Sequence, residues 1–212
     1  MAVYLLRNLL NLISESFRNL SRANLTAMTV VLRLIIKELV LCDDLDNRKS
    51  DILLTMLKSP EEDFLAFVRA VAGNDTIEYN DEVALSEREK GYLNAAIANL
   101  LKYHGTIEND IEQVLRFYFL MCSIEMSCRE LSLAFLAFAN HRKKFNYAGV
   151  TLTSSQVKRI NAIMQVCGFY DEAGEFSYLV GLPGKSGVGG GIVAIYPLQY
   201  SVAVWSPRLN SK

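Results

Sequence analysis

Apolar residues recur every three to four positions through most of the first 168 residues, and that period predicts helices. Residues 1–41 read as helical, with leucines at this spacing. The polar run CDDLDNRKSD, residues 42–51, reads as a loop. SPEEDFLAFVRAVAGND, residues 59–75, carries a full set of helix signals. Ser59 is the N-cap, Pro60 fits the first turn, Glu62 completes a capping box and Gly73 is the stop. Ser86 and Glu89 repeat the box and open a helix over 87–103. Thr106 is placed to cap the next, to about Cys122, and Ser127 with Glu130 opens another, to about Asn140. LTSSQVKRINAIMQVCG, residues 152–168, is the last, with Ser154 and Ser155 as N-caps and Gly168 as its stop.

After Gly168 the period shortens. EFSYLVGL, GIVAIYP and YSVAVWSP are short, β-branched and aromatic, with turn residues between them. Helices first and about three antiparallel strands last make an α+β fold, a helical region followed by a short antiparallel sheet. No helix follows YSVAVWSP to cover that sheet, so the chain is expected to be incomplete.

Composition narrows the class. The 212 residues are 51% apolar and 21% charged, enough to bury a core and too apolar for a disordered chain. A net charge of −1 gives no field that would steer the protein to nucleic acid or an anionic membrane. Cys42, Cys122, Cys128 and Cys167 form no CxxC pair and read as small buried hydrophobes of a reducing, cytoplasmic setting. His104 and His141 have no partner at metal-ligand spacing, so no metal site is expected. Charges at Arg7, Glu15, Arg18, Arg22, Arg33 and Lys37 interrupt the apolar N-terminal stretch, and no membrane span is expected. Its Leu- and Arg-rich character fits a transit peptide, a membrane-surface helix or a plain solvent-and-core helix.

One stretch carries candidate chemistry: GLPGKSGVGGGIVAIYP, residues 181–197. Glycine loses the most entropy on folding, so this density implies a sharp turn or a close approach to the main chain. Lys185-Ser186-Gly187 matches the K-[ST]-G triplet of serine β-lactamases and penicillin-binding enzymes, where the lysine brings positive charge and the glycine lets substrate lie along the strand. That set also needs a nucleophile in S-x-x-K, and the one match here is Ser155 to Lys158. It lies just before the KSG strand rather than well upstream, and is more simply a helix start. Glu87 and Asn94, seven apart, would share one face of a single helix and could hold a ligand's ammonium and carboxylate, or be ordinary surface residues. Tyr118 sits among aromatics in LRFYFL, where core packing is the default; Tyr170, after the Gly168 stop, falls in a loop beside the strands.

Longer stretches go further. SEREKGYLNAAIA, VLRFYF, MSCRELSLAFLAFAN, QVKRINAIMQVCGFYDEAGEF, VGLPGKSGVGGGIVAI and AVWSP resemble, in order and near-family spacing, the C-terminal half of the serine-dependent glutaminases. The resemblance runs from about Leu39 to Arg208. It implies a partial β-lactamase-like or penicillin-binding-like fold. It implies hydrolysis of L-glutamine to L-glutamate and ammonia, no metal or organic cofactor, and a homo-oligomer. Carried over by position, Glu87 and Asn94 would grip the amino-acid end of glutamine. Tyr118 and Tyr170 would line the pocket, one of them assisting proton transfer. Val188 would offer its N–H to the oxyanion, and Lys185 would add positive charge. The catalytic residues that the resemblance implies are Tyr170 and Lys185.

Two departures accompany the match. The family's upstream S-x-x-K serine has no counterpart, and its I-N-A-G run aligns with Ile35-Ile36-Lys37-Glu38. The expected organisation is a helical segment over 1–38 unlike the family, a truncated glutaminase-like domain over 39–208 and a tail over 209–212. The expected activity is impaired. The alternatives are a non-catalytic glutamine-binding or subunit-interaction module, and a functionless remnant of a disrupted gene.

Overall fold

Phe64, Phe67, Val68 and Val71 give the segment after Pro60 one apolar face, and that face organises the interior. The structure, a computed structural model, describes residues 46–139, 145–147 and 150–206. The 1–41 helix, Cys42, His141 and the tail therefore lie outside the described residues. Among the described residues six helices come first: α1 (Asp46–Met56), α2 (Pro60–Ala72), α3 (Asp81–Lys90), α4 (Tyr92–Tyr103), α5 (Ile111–Cys122) and α6 (Cys128–Phe135). A 3-10 turn (Leu136–Ala139) and a small antiparallel hairpin, β1 (Phe145–Tyr147) and β2 (Val150–Leu152), follow. Then come α7 (Ser154–Cys167), a 3-10 turn (Tyr170–Glu172), α8 (Ala173–Leu179) and an antiparallel meander, β3 (Gly184–Ser186), β4 (Gly191–Tyr196) and β5 (Tyr200–Trp205).

The main core joins α1, α2, α5, α6 and α7 to the sheet through Leu53, Phe67, Phe117, Phe135, Met164, Val193 and Ile195. Helices α6 and α7 lie against the meander. Ser132 Oγ donates to the Ser201 carbonyl at 2.9 Å and Ser201 Oγ returns a bond to the Ser132 carbonyl at 2.6 Å. A second cluster, Ala98, Ile107, Val114, Leu115 and Phe119, welds α4 to α5.

Local signals are met where they stand alone. Gly73 ends α2 at φ 66, and Ser127 and Glu130 form the full capping box of α6. Elsewhere the elements differ from the pattern. The polar run expected to be a loop is helical from Asp46, because Asp51 is buried against the 108–109 segment. Its Oδ1 accepts the N–H groups of Glu108 and Asn109 and the Asn109 amide. The Ser59 side chain does not cap α2; its N–H instead donates to Asp63 Oδ2 at 3.2 Å. The helix expected over 87–103 is two helices. Asn80 caps the first, Ser86 lies inside it, and the break falls at Gly91, where a Cβ would stand 2.5 Å from the Phe119 ring. Thr106 closes α4 by donating to the Leu101 carbonyl, and Asp110 caps α5. Thr153 with Gln156, rather than Ser154 or Ser155, caps α7.

EFSYLVGL is a helix, not a strand. Phe176 stacks on Phe169, Ser177 Oγ bonds the Gln165 carbonyl, and Gly181 at φ 71 ends the segment. The cysteines depart as well: Cys122 and Cys128 are exposed and Cys167 is half-buried, because the first two sit at the facing ends of α5 and α6. Among the described residues no helix is long and apolar enough to cross a membrane, and no cluster of His, Cys, Asp or Glu is placed to hold a metal ion.

Candidate functional site

The K-S-G strand is seated on the end of α7 by a glycine pair. Gly168 ends α7, and its carbonyl accepts Ser186 N–H at 2.9 Å and Ser186 Oγ at 3.4 Å. A Cβ on Gly168 would lie 1.8 Å from the Gly184 carbonyl oxygen, so only glycine allows β3 this close. Gly184 is constrained in turn, since its Cβ would meet the Val193 carbonyl at 2.6 Å. Pairing then fixes Lys185 opposite Val193 and Ser186 opposite Ile192.

Beyond β3 the chain makes a tight turn. Gly190 N–H bonds the Gly187 carbonyl and Gly187 N–H bonds the Gly191 carbonyl, which puts Val188 at the first central position. Among the described residues no acceptor takes the Val188 N–H, and the residue is 79% exposed. Gly190 is held at φ 89 with the Ser206 carbonyl 2.3 Å from where its Cβ would be, while Gly187 and Gly189 have room for a side chain. Trp205 Nε1 donates to the Gly189 carbonyl at 2.9 Å and steadies the turn from β5.

Tyr170 stands beside this strand. It lies in a 3-10 turn rather than a free loop, and its φ of 51 is in the left-handed region that a bulky side chain rarely adopts. Lys185 Nζ sits 4.4 Å from its ring centroid and donates to the Ser186 carbonyl. The structure thus brings Tyr170 and Lys185 together, with Val188 on the same hairpin.

Glu87, Asn94 and Tyr118 belong to the helical side. Glu87 is exposed on α3 and Asn94 half-buried on α4, so the break at Gly91 removes the single-helix face on which their pairing was argued. Asn47, buried on α1, holds the Asn94 carbonyl through its amide at 3.0 Å and so fixes the first turn of α4. Tyr118 is half-buried, packs on the α4–α5 cluster and touches Phe119 at 5.5 Å between centroids. The sequence gives no signal for Asn47 and marks Gly168 only as a helix stop.

Ser155 stands apart. It is exposed in the first turn of α7, 13 residues before the Gly168 that touches β3. At 1.5 Å per residue that is about 20 Å along the helix axis. No side-chain motion brings its hydroxyl to Lys185.

The fold also moves two ionisations. Burial, then the charges of Glu61 and Glu62, push the Tyr79 phenol up; its hydroxyl donates to the Glu61 carbonyl at 2.8 Å. The Ser127 N–H, the Asn74 amide and the Ser127 hydroxyl hold the Glu130 carboxyl below its usual range. Both groups tie elements of the scaffold together.

Comparison with known proteins adds an independent line. A family model described as Glutaminase matches residues 49–212. The glutaminase of Christiangramia forsetii is 56% identical over 161 residues, 76% of this chain and 53% of that protein. That of Saccharophagus degradans is 51% identical over 161 residues, 76% of this chain and 52% of that protein. Among solved structures, the Bacillus subtilis probable glutaminase superposes with a TM-score of 0.67 at 25% identity, over 77% of this chain and 56% of that one. Another probable glutaminase superposes at 0.66 with 29% identity, over 77% and 54%. The chain spans about half the length of the curated relatives it matches.

Proposed function

The chain belongs to the glutaminase family, and from that premise we propose that it carries the substrate-side and oxyanion portion of a site for L-glutamine, with little or no turnover of its own. The observation that carries this reading is the K-S-G strand locked onto Gly168 beside a strained Tyr170. The close approach of β3 to α7 sets Lys185 and the Val188 N–H, on one short hairpin, beside the Tyr170 ring of the turn that follows α7.

Each group has a role in hydrolysis of the side-chain amide. Attack on the amide carbon pushes an electron pair onto oxygen. The unmet Val188 N–H is a donor for that oxyanion, and one such donor contributes about 3–4 kcal/mol to a transition state. Lys185 adds positive charge beside it. Tyr170 would pass a proton to the departing ammonia. Glu87 and Asn94 would hold the amino-acid end of glutamine and Tyr118 would line the pocket. Water supplies the oxygen of the product carboxylate, and L-glutamate and ammonia leave. No cofactor enters this scheme.

The missing part is the nucleophile. Ser155 is the one S-x-x-K serine in these 212 residues, and it stands about 20 Å along α7 from the Gly168 that seats the strand. A serine enzyme stripped of its nucleophile retains only about 10³–10⁴ over water. We therefore expect the 212-residue chain to bind glutamine and to act in the cytoplasm as a binding module. Glutamate release from L-glutamine by the purified chain is the test. No release above that of Lys185→Met is expected. Turnover that Lys185→Met abolishes would mean that a nucleophile operates within these residues, and the non-catalytic reading would fail.

A further inference from the structure

One face of the β4–β5 hairpin is apolar and largely open. The pairing register sets Ile192 opposite Val204, Ala194 opposite Val202 and Tyr196 opposite Tyr200, and these six share that face. The other face belongs to the core. It carries Val193 and Ile195, with Ala203 packed on their cluster and Ser201 bonded to α6. On the open face Val204 is 53% exposed, Tyr200 49%, Val202 41% and Tyr196 39%. An antiparallel sheet that turns one face to water carries polar residues on it. Here only the two tyrosine hydroxyls are polar. Cover is present over β3 and stops there. A Cβ on Gly184 would meet the Phe169 ring at 3.1 Å, and Ala194, paired with Gly184, is buried. Val202, next in the same row, is exposed.

The same chain carries a segment whose pattern calls for such a face. Read as a helix at 100° per residue, Leu5, Leu9, Leu12, Ile13, Phe17 and Leu20 fall within one arc of about 140°. Between Leu5 and Leu20, Ser16 is the one polar residue in that arc. Arg7, Asn11, Glu15, Arg18 and Arg22 fall on the opposite side. A helix with one apolar and one charged side buries the apolar side against a partner.

Face and segment match in size and in reach. Strand β5 has six residues, about 20 Å at 3.3 Å each. A helix from Leu5 to Leu20 is about 24 Å long. The 23 residues between Arg22 and Asp46 span up to about 75 Å when extended, against a radius of gyration of about 15 Å for a domain of this size. The tether therefore reaches any part of the surface. It also holds the segment near the sheet at a local concentration that a free partner does not match. A lipid surface suits the same helical pattern, but it would leave the β5 face bare.

We propose that residues 5–20 dock as an amphipathic helix on the open face of β4 and β5. Leu9 and Ile13, near the middle of the apolar arc, lie over Tyr196, Tyr200 and Val202, and Arg7, Arg18 and Arg22 turn to solvent. The N-terminal segment then completes the layer that Phe169 begins over β3. The proposal stands without the glutamine reading.

Hydroxyl-radical footprinting of the full 212-residue chain, read by mass spectrometry, tests it. Tyr178 on α8, 88% exposed, is the internal reference. With the face bare, Tyr196 and Tyr200 should label at about half its rate, in line with their exposures of 39% and 49%. With the segment docked, both are expected to label several-fold more slowly than that. Leu9→Glu and Ile13→Glu are each expected to restore the bare-face rates, and Asn11→Glu, on the polar side, to leave the protection intact. Bare-face rates in the wild type would overturn the proposal. Protection that survives both Leu9→Glu and Ile13→Glu would overturn it too, since something else then covers the face. So would a wild type whose tyrosines stay at bare-face rates while Leu9→Glu abolishes its sedimentation with phosphatidylcholine–phosphatidylserine vesicles; the segment then serves a lipid surface. If both glutamate variants unfold, Val202→Glu decides from the sheet side: Phe17 labelling is expected to rise, and unchanged labelling overturns the proposal.

Discussion

Replacing Gly168 by alanine would drive β3 off the end of α7. The added Cβ would stand 1.8 Å from the Gly184 carbonyl oxygen and 2.5 Å from the Met164 carbonyl, whereas real Cβ contacts are essentially never under 3.0 Å. Both obstacles are backbone, so no rotamer change relieves them. Strand β3 must retreat by about 1.2 Å, the difference between 3.0 and 1.8 Å. That takes the Ser186 N–H bond to Gly168 from 2.9 Å to about 4 Å, past any hydrogen bond. Overpacking of this kind costs about 1–3 kcal/mol and the lost bond about 1 more, so about 2–4 kcal/mol in all. For a chain of this size the midpoint of thermal unfolding falls by roughly 5–15 °C. Gly174→Ala is the matched control: nothing lies within 4 Å of its Cβ and it sits in α8, so it is expected to be neutral or to stabilise by up to about 1 kcal/mol. Thermal melts followed by circular dichroism read both. If Gly168→Ala melts within a degree or two of Gly174→Ala, β3 is not seated by that glycine and the site as described is wrong.

The remaining predictions concern the scaffold and the rejected serine. Asp51→Ala removes a buried carboxylate that binds Arg48 at 2.6 Å and accepts three donors from Glu108 and Asn109. It is expected to cost about 3 kcal/mol in urea unfolding and to speed hydrogen exchange at the 108 and 109 amides; unchanged exchange would refute the link. Glu130 has a depressed pKa in the folded state, so its contribution is present above the ordinary carboxylate value of about 4.3 and is lost as pH falls through the folded value. The difference in melting temperature between wild type and Glu130→Gln is therefore expected at neutral pH and to vanish in acid. A difference independent of pH would count against the assignment. Ser155→Ala should change neither glutamine binding nor stability by more than about 0.5 kcal/mol, as for other exposed substitutions. A larger loss of binding would return Ser155 to the site.

What could be read in advance was what depends on neighbours in sequence. The Ser127–Glu130 box, the Gly73 stop and strands β4 and β5 carry their causes within a few residues. The errors come from contacts across the chain. Gly91 divides α3 from α4 because the Phe119 ring occupies the space a side chain would need. CDDLDNRKSD is polar enough for a loop, yet Asp51 finds its partners 57 and 58 residues away and the segment helps form a helix. EFSYLVGL has the aromatics of a strand, but the Phe169–Phe176 stack and the Gln165–Ser177 bonds fold it back on α7. Within the site, the Lys185 triplet and a sharp turn among the glycines after it were legible as local chemistry, and Val188 only through the family resemblance. The left-handed Tyr170 and the Gly168 seat became visible only with β3 in place.

Calorimetric titration of L-glutamine into the 212-residue chain, beside the Glu87→Gln variant, tests the central claim most directly. The account predicts saturable binding by the wild-type chain and loss of that binding in the variant, which keeps the shape of the side chain and removes the charge that would hold the ammonium group. Absence of binding by a folded wild-type chain, or equal binding by both, would contradict it.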